Sequence, residues 1–138
     1  DLGCKVLGID GSQQAKRDSL ITDQHIVHDF TRGPYHPSSS FDLAWSCEFV
    51  EHVEERFLNN FLETFASSKR YIMMTFASPG QPGYHHVNCQ HMDYWIEKIE
   101  FAGFRFDPAH TDTSRAIAPK GHYKRRGLFF TRNQRPDI

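Results

Sequence analysis

The stretch from Phe41 to Val53, FDLAWSCEFVEHV, constrains the fold more than any other part of the chain. Its first five residues are short and apolar enough for a strand buried on both faces of a parallel sheet, although periodicity alone also allows a helix segment. Small and polar residues follow at 46–48, and Glu51 and His52 precede a helix-like stretch. Ligands of open α/β sheets bind at the carboxyl ends of strands, so this stretch predicts a ligand site. The alternative is a strand followed by a solvated helix start.

The remaining apolar segments alternate between strand-like and helix-like patterns. We predict strands at 5–10, 25–28, 41–45, 71–76, 104–107 and 127–131, and helices at 13–20, 54–67 and 92–102. The segment 111–126 is polar and basic, and we predict an excursion without regular structure there. This order predicts an α/β sheet with an antiparallel hairpin formed by the last two strands.

Length and charge limit what the chain can be. With 138 residues, 38% of them hydrophobic, the chain can bury one core, so we predict a single domain over 1–138. A formal net charge of -1 argues against a nucleic-acid or membrane partner held by bulk electrostatics. Three cysteines without CxxC spacing and the lack of a signal peptide predict reduced thiols and a cytoplasmic protein. No apolar run approaches the roughly 18 residues of a membrane span.

The junction between Cys4 and Lys5 is unusual. Residues 1–4 are typical of a strand end followed by a glycine-rich turn, and the next strand begins at once. A crossover between parallel strands needs about a dozen or more residues and usually contains a helix. We therefore expect that a loop and helix are missing at this junction, and that the fold is incomplete on its N-terminal side. The alternative is that residues 1–4 are an ordinary lead-in.

Three predicted strands end in an acidic residue at the same edge of the sheet: Asp10, Asp29 and Glu48. Carboxylates at this position accept hydrogen bonds from ribose hydroxyls or an exocyclic amine. A single acid in such a place is more often a helix N-cap. The joint pattern favours a nucleoside-containing ligand.

The order and spacing of these motifs resemble class I S-adenosylmethionine-dependent methyltransferases. Residues 1–4 are similar to the start of that family's glycine-rich first motif. The later motifs are similar at 6–12, 28–30 and 41–53, and the fifth and seventh strands at 71–78 and 127–131. The resemblance covers nearly the whole chain. It implies a Rossmann-like three-layer sandwich with a mostly parallel sheet and a C-terminal antiparallel hairpin.

The resemblance also implies which residues hold the cofactor, S-adenosylmethionine, and its product, S-adenosylhomocysteine. Asp10 would accept from the ribose hydroxyls, and Asp29 would face the adenine amino group. The other implied cofactor residues are Asp1 and Gly3 near the methionine, Gly11 and Ser12 beside the ribose and adenine, Phe30 on the adenine ring, and the backbone at Ser46 and Cys47 along the methionine.

Histidines are the candidates for catalysis, because methyl transfer to oxygen or nitrogen needs an aligned acceptor and often a base. His52 follows the fourth motif, and His85 and His86 lie after the fifth strand, where such enzymes contact acceptors. Ordinary structural or surface roles are the alternative for each. A metal site formed by His85, His86, Cys89 and His91 is disfavoured, because adjacent histidines cannot easily face one ion, so we expect no metal.

The sequence predicts transfer of a methyl group to a small-molecule or glycan acceptor, which fits the near-neutral charge better than nucleic acid. One alternative is an inactive binding module, because the glycines expected after Cys4 are absent. A second is an NAD-binding oxidoreductase, which has a similar early strand and acid. The basic residues Lys120, Lys124, Arg125 and Arg126 could bind an anionic acceptor or form a solvated excursion.

Overall fold

A computed structural model describes residues 2–134. The strands are β1 (Gly8–Asp10), β2 (His25–Val27), β3 (Leu43–Ser46), β4 (Tyr71–Met74), β5 (Phe104–Phe106) and β6 (Leu128–Arg132). The α-helices are α1 (Gln13–Asp18), α2 (Leu58–Ala66), α3 (Met92–Phe101), α4 (Pro108–Ile117) and α5 (His122–Arg126). Short 3₁₀ turns lie at Thr22–Gln24, Phe30–Arg32, Val50–His52 and Glu55–Phe57. Each predicted strand and helix is present; most have shorter bounds, β6 is shifted by one residue, and β3 ends one residue later than predicted.

The segment 111–126 corrects one prediction, because α4 and α5 form there instead of an irregular excursion. The helix signal lies just upstream. Asp107 is the N-cap of α4, and Pro108 follows at the first helical position, where its missing N–H costs nothing. At the other end of α4, the Lys124 ammonium donates to the carbonyls of Arg115, Ala116 and Ala118 at 3.0 to 3.1 Å. That lysine is therefore used in the fold and is not offered to a ligand.

The strands form two sheets rather than the single, mostly parallel sheet that was predicted. One sheet has four strands in the order β3-β4-β6-β5, and the other is the parallel pair β1-β2. Only β3 and β4 are parallel in the larger sheet, since β6 pairs antiparallel with both β4 and β5. The predicted antiparallel pairing of the last two strands is confirmed, although α4 and α5 lie between them. Residues 2–7 form no strand, and no strand within 2–134 pairs with both sheets.

Helices cover the larger sheet on both faces, as a three-layer sandwich requires. On one face, Ile72 and Met74 of β4 are fully buried in a core with residues of α2 and α3. That core includes Phe61, Phe65, Trp95 and Ile99. On the other face, His110 of α4 stacks on Phe129, and Tyr123 of α5 packs on Trp45.

The second face is covered only in part, which corrects the prediction that β3 is buried on both faces. Leu43 and Trp45 point to that face and are 40% and 54% exposed. They alternate with Ala44 and Ser46, which point to the core side. The apolar composition of β3 therefore exceeds what the described residues bury.

Replacement of Asp107 by alanine tests how α4 is held. Oδ1 of Asp107 accepts the His110 backbone N–H at 2.9 Å, and Oδ2 lies 2.8 Å from His110 Nδ1. Loss of this cap should lower the free energy of unfolding at pH 7 by about 1 to 2 kcal/mol. The matched control is Asp112→Ala, an exposed acid of the same helix.

The effect of Asp107→Ala should also depend on pH. The backbone hydrogen bond from His110 is the main cause that lowers the pKa of Asp107. A folded-state pKa below the unfolded one gives stability that is present above the unfolded pKa and is lost as pH falls through the folded pKa. Thermal unfolding should therefore show a smaller difference at pH 3 than at pH 7. An equal difference at both pH values would contradict this role.

None of the helices within residues 2–134 could cross a membrane, since α3 and α4 are the longest at ten residues each. The single-domain organisation and the cytoplasmic location stay predictions.

Candidate functional site

A cavity of about 210 Å³ lies at the carboxyl ends of β1, β2 and β3. Three of the predicted cofactor residues line it: Gly11, Asp29 and Phe30. Two of the predicted catalytic histidines, His52 and His85, line the same cavity. The structure therefore brings together residues that are up to 74 positions apart in the chain, as Gly11 and His85 show.

Asp29 is placed to receive a donor from a ligand. It caps the 3₁₀ turn Phe30–Arg32, where its Oδ1 accepts the Thr31 backbone N–H at 2.9 Å and the Thr31 hydroxyl at 2.7 Å. These hydrogen bonds are the main cause that lowers the pKa of Asp29, so the side chain is a carboxylate at neutral pH. Both bonds use Oδ1, which leaves Oδ2 for a ligand.

The end of β1 is engaged more locally. Oδ1 of Asp10 accepts the Ser12 backbone N–H at 2.7 Å, and the Ser12 hydroxyl caps α1 by accepting from Ala15 N at 3.2 Å. Asp10 and Ser12 do not line the cavity, although Gly11 between them does. Ser12 therefore acts as a helix N-cap in this structure, and its cofactor role stays a prediction.

The aromatic wall of the cavity is well packed. Phe30 is only 6% exposed, and its ring makes edge contacts with His28 at 4.8 Å and Phe49 at 5.5 Å between centroids. The Asn60 side-chain amide donates to the Phe30 carbonyl at 2.6 Å. A ligand ring could therefore contact Phe30 without reorganisation of the wall.

The predicted methionine-side residues are not part of this cavity. Ser46 is buried, and its hydroxyl has no hydrogen-bond partner. Burial is the main cause that raises the pKa of the Cys47 thiol, which keeps the sulfur protonated and unreactive. Gly3 has a left-handed φ of 69° and lies outside the cavity, and Asp1 lies outside the described residues.

Four side chains converge directly after β3: Glu48, Glu51, His52 and His86. One potential ligand atom from each lies within 4.8 Å of the other three. Glu51 is fully buried, and neither carboxylate oxygen has a hydrogen-bond partner. Burial is the main cause that raises the pKa of Glu51, and the Glu48 charge adds to it. We call these four side chains the Glu/His cluster.

Backbone contacts between two loops assemble this cluster. The backbone N–H groups of Val87 and Asn88 donate to the Glu51 carbonyl at 2.9 and 3.1 Å. This docks the loop after β4 against the turn after β3 and brings His86 beside His52, with ring centroids 5.1 Å apart. Of the disfavoured metal set His85, His86, Cys89 and His91, only His86 belongs to this cluster, and Cys89 and His91 do not join any such group within residues 2–134.

Glu51 is the residue that the sequence analysis missed. Its signal is the spacing of Glu48, Glu51 and His52, because positions i, i+3 and i+4 lie on one side of a helical turn. From the sequence, Glu48 was predicted as a strand-end acid and His52 as a candidate base or structural residue, and no role was assigned to Glu51.

A second cavity of about 270 Å³ adjoins the cluster through Glu48. Its other lining residues include Gln81, His122, Arg125 and Arg126. His122 Nδ1 lies 2.6 Å from Glu48 Oε1, and Arg126 donates to the Ser78 hydroxyl. Two of the four basic residues considered above therefore face a cavity, and they make its wall cationic.

Comparisons with known proteins show the fold. No protein-family model matches the chain, and no curated protein matches it. Among solved structures it is similar to magnesium protoporphyrin IX methyltransferase (ChlM) from Synechocystis PCC 6803 with bound S-adenosylhomocysteine, at 16% identity and a TM-score of 0.50. That similarity covers 88% of this chain and 57% of the methyltransferase.

Two other similar structures are described as a pericyclic reaction enzyme and as LepI in complex with S-adenosylmethionine. They are 11% and 10% identical, each with a TM-score of 0.53 over 96% of this chain and 37% of theirs. The chain has the fold of S-adenosylmethionine-dependent methyltransferases. At these identities the comparisons show the fold alone.

Proposed function

We propose that the chain binds S-adenosylmethionine in the 210 Å³ cavity and transfers its methyl group to a small-molecule or glycan acceptor. The observation that carries the proposal is that Gly11, Asp29 and Phe30 line one cavity together with His52 and His85. The solved structures with bound S-adenosylhomocysteine or S-adenosylmethionine support a cofactor of this kind for the fold.

Methyl transfer from a sulfonium requires little covalent participation by the protein. The methyl group of a sulfonium is already activated, so the protein must align the acceptor with it and accept a proton from an oxygen or nitrogen acceptor. Asp29 would hold the adenine amino group through Oδ2, and Phe30 would contact the ring. His52 and His85 would lie at the far side of the cavity, where an acceptor proton can be taken.

The 270 Å³ cavity supports a polar acceptor with an anionic group. Arg125 and Arg126 line it, and arginine suits carboxylate or phosphate recognition because its guanidinium presents paired donors. The cavity is small, which fits one sugar or a compact acid better than a polymer. Glycans that carry acidic groups are within this class.

An inactive binding module is the second candidate, and the missing glycines after Cys4 favour it. The fold itself does not decide between the two, because it also occurs in a protein described as a pericyclic reaction enzyme.

Calorimetric titration with S-adenosylhomocysteine tests cofactor binding, and Asp29→Asn is the decisive variant. Asparagine retains the Oδ1 that caps the turn but presents an amide donor toward the ligand instead of a carboxylate oxygen. Loss of a hydrogen bond to a charged group should weaken binding roughly tenfold or more. Asp23→Asn, an exposed acid in the turn before β2, is the control and should bind like the parent chain.

Two results would remove the proposal. Absence of binding heat for the parent chain would favour the binding module, and equal affinities of Asp29→Asn and Asp23→Asn would exclude Asp29 from the site. Titration with NAD⁺ under the same conditions checks the oxidoreductase alternative. Formation of S-adenosylhomocysteine from S-adenosylmethionine, with hydroxylated acids and acidic sugars as acceptors, then tests methyl transfer.

A further inference from the structure

We propose that the Glu/His cluster (Glu48, Glu51, His52 and His86) is a divalent-cation site. The spacing of the four ligand atoms supports this site. Four side chains from two separate loops place one ligand atom each within 4.8 Å of the others, so small side-chain movements would bring all four around one ion with bonds of about 2.0 to 2.3 Å. No metal site was predicted from the sequence.

The burial of Glu51 also supports a cation site. Its side chain is fully buried, and both carboxylate oxygens lack hydrogen-bond partners. A buried charge is normally paired or bound to a metal, because desolvation without compensation costs several kcal/mol. The groups that face Glu51 are the Glu48 carboxylate, which repels it, and the rings of His52 and His86. A cation between the four side chains would satisfy the carboxylate.

The hydrogen bonds of the His52 and His86 rings support the same site. His52 Nδ1 lies 3.1 Å from the His85 carbonyl oxygen, and His86 Nδ1 lies 3.2 Å from the Gln81 carbonyl oxygen. A carbonyl only accepts, so each Nδ1 carries the proton. The lone pair of each ring is then on Nε2. Histidines that bind metals are typically oriented by such a hydrogen bond from the other nitrogen.

The backbone conformation at and beside the ligands also supports a cation site. Glu48 and His85 both have φ of 52°, and they are the non-glycine residues with positive φ within residues 2–134. Such conformations cost about 1 to 3 kcal/mol each and cluster at functional sites. Here one belongs to a ligand and the other carries the carbonyl that orients a ligand.

Two imidazoles and two carboxylates favour a first-row divalent ion such as Mn²⁺, Fe²⁺ or Zn²⁺ over Mg²⁺, which prefers oxygen ligands. Glu48 also lines the 270 Å³ cavity, and His52 lines the 210 Å³ cavity. If the proposed function holds, the ion would lie between cofactor and acceptor, where an acceptor oxygen could complete its coordination, and His85 rather than the ligand His52 would be the candidate base. Cation binding itself does not depend on that function.

The test is titration of the chelator-treated protein with MnCl₂, followed by the electron paramagnetic resonance signal of free Mn²⁺. We expect one ion per chain. Glu51→Gln, which keeps the side-chain shape, should weaken binding at least tenfold, and ZnCl₂ should displace Mn²⁺ whereas MgCl₂ at the same concentration should not. His91→Asn removes an exposed histidine of the same loop and should bind Mn²⁺ like the parent chain.

A second variant keeps the test valid if Glu51→Gln does not fold. Gly83 lies in an exposed loop, and a Cβ at this position would overlap the His86 ring. Gly83→Ala should therefore displace His86 and weaken Mn²⁺ binding without removal of any ligand. Circular dichroism checks that each variant is folded.

Three outcomes would overturn the proposal: no uptake of Mn²⁺ or Zn²⁺ by the parent chain, unchanged binding by the folded Glu51→Gln and Gly83→Ala variants, or equal weakening by His91→Asn. The titration is carried out without S-adenosylhomocysteine. Failure of cation binding is thereby distinguished from failure of cofactor binding.

Discussion

Phe61→Ala should lower the free energy of unfolding by about 3 to 5 kcal/mol, the range for deletion of a buried aromatic ring. Phe61 of α2 is fully buried. Its ring lies 5.5 Å from Phe49 and from Phe65, and 6.4 Å from Trp95, measured between centroids. It therefore joins the turn after β3 to α3 through one contact network. Collapse around the vacated space is limited because the neighbours are held in separate elements.

Urea denaturation followed by circular dichroism measures this loss. The control is Asn59→Ala, an exposed position of the same helix, which should change stability by less than about 0.5 kcal/mol. A loss below 1 kcal/mol for Phe61→Ala would mean that this cluster is not the centre of the core. Because small proteins are stable by only about 5 to 15 kcal/mol, the variant should also show a clearly lower Tm.

Gly127→Ala should destabilise the chain by about 1 to 3 kcal/mol through overpacking. Gly127 is buried between α5 and β6, and a Cβ there would lie 2.6 Å from the Tyr123 ring and from the Tyr123 carbonyl oxygen. Rotation of the ring could relieve the first overlap. The second involves backbone, and Gly127 N donates to that same carbonyl at 2.7 Å, so α5 must shift as a whole.

The matched control for this variant is Gly11→Ala, where the nearest atom to the new Cβ is at 3.5 Å, an ordinary contact. Thermal unfolding should show a lower Tm for Gly127→Ala and an unchanged or slightly higher one for Gly11→Ala. Equal Tm values for Gly127→Ala and the parent chain would contradict the placement of α5 against β6.

The strands and the first three helices were predictable because local signals and packing agree there. The apolar spacing of Phe57, Phe61 and Phe65 predicts α2, and the apolar runs of β4 and β6 predict buried strands. The structure confirms each: α2 and β4 are shorter than predicted, and β6 is shifted by one residue. Helix and strand ends depend on hydrogen bonds to neighbouring elements, which a linear pattern does not contain.

The sheet arrangement was predictable only in part. Antiparallel pairing of β5 and β6 follows from their order in the chain. The position of β6 between β4 and β5 depends on contacts between segments that are far apart in the sequence. The placement of β1 and β2 in a sheet separate from β3 was not predicted, and the missing loop and helix between Cys4 and Lys5 stay a prediction.

The candidate site shows the same division. Asp29 was predicted as a strand-end acid and Phe30 from the family resemblance, and both line the cavity. Ser12, equally prominent in the sequence, is used as a helix cap. His86 could not be assigned to Glu51 in advance, because their contact depends on how the loop after β4 docks on the Glu51 carbonyl.

The unequal environments of Trp45 and Trp95 have a practical consequence. They are the two tryptophans of the chain; one is 54% exposed and the other fully buried. Acrylamide should therefore quench the emission of the first and spare that of the second. Trp45 packs on Tyr123, with ring centroids 5.2 Å apart, and Tyr123 belongs to the helix that also carries Arg125 and Arg126. The unlabelled protein thus contains an intrinsic fluorophore that reports on the helix lining the 270 Å³ cavity, and an internal reference that reports on the core.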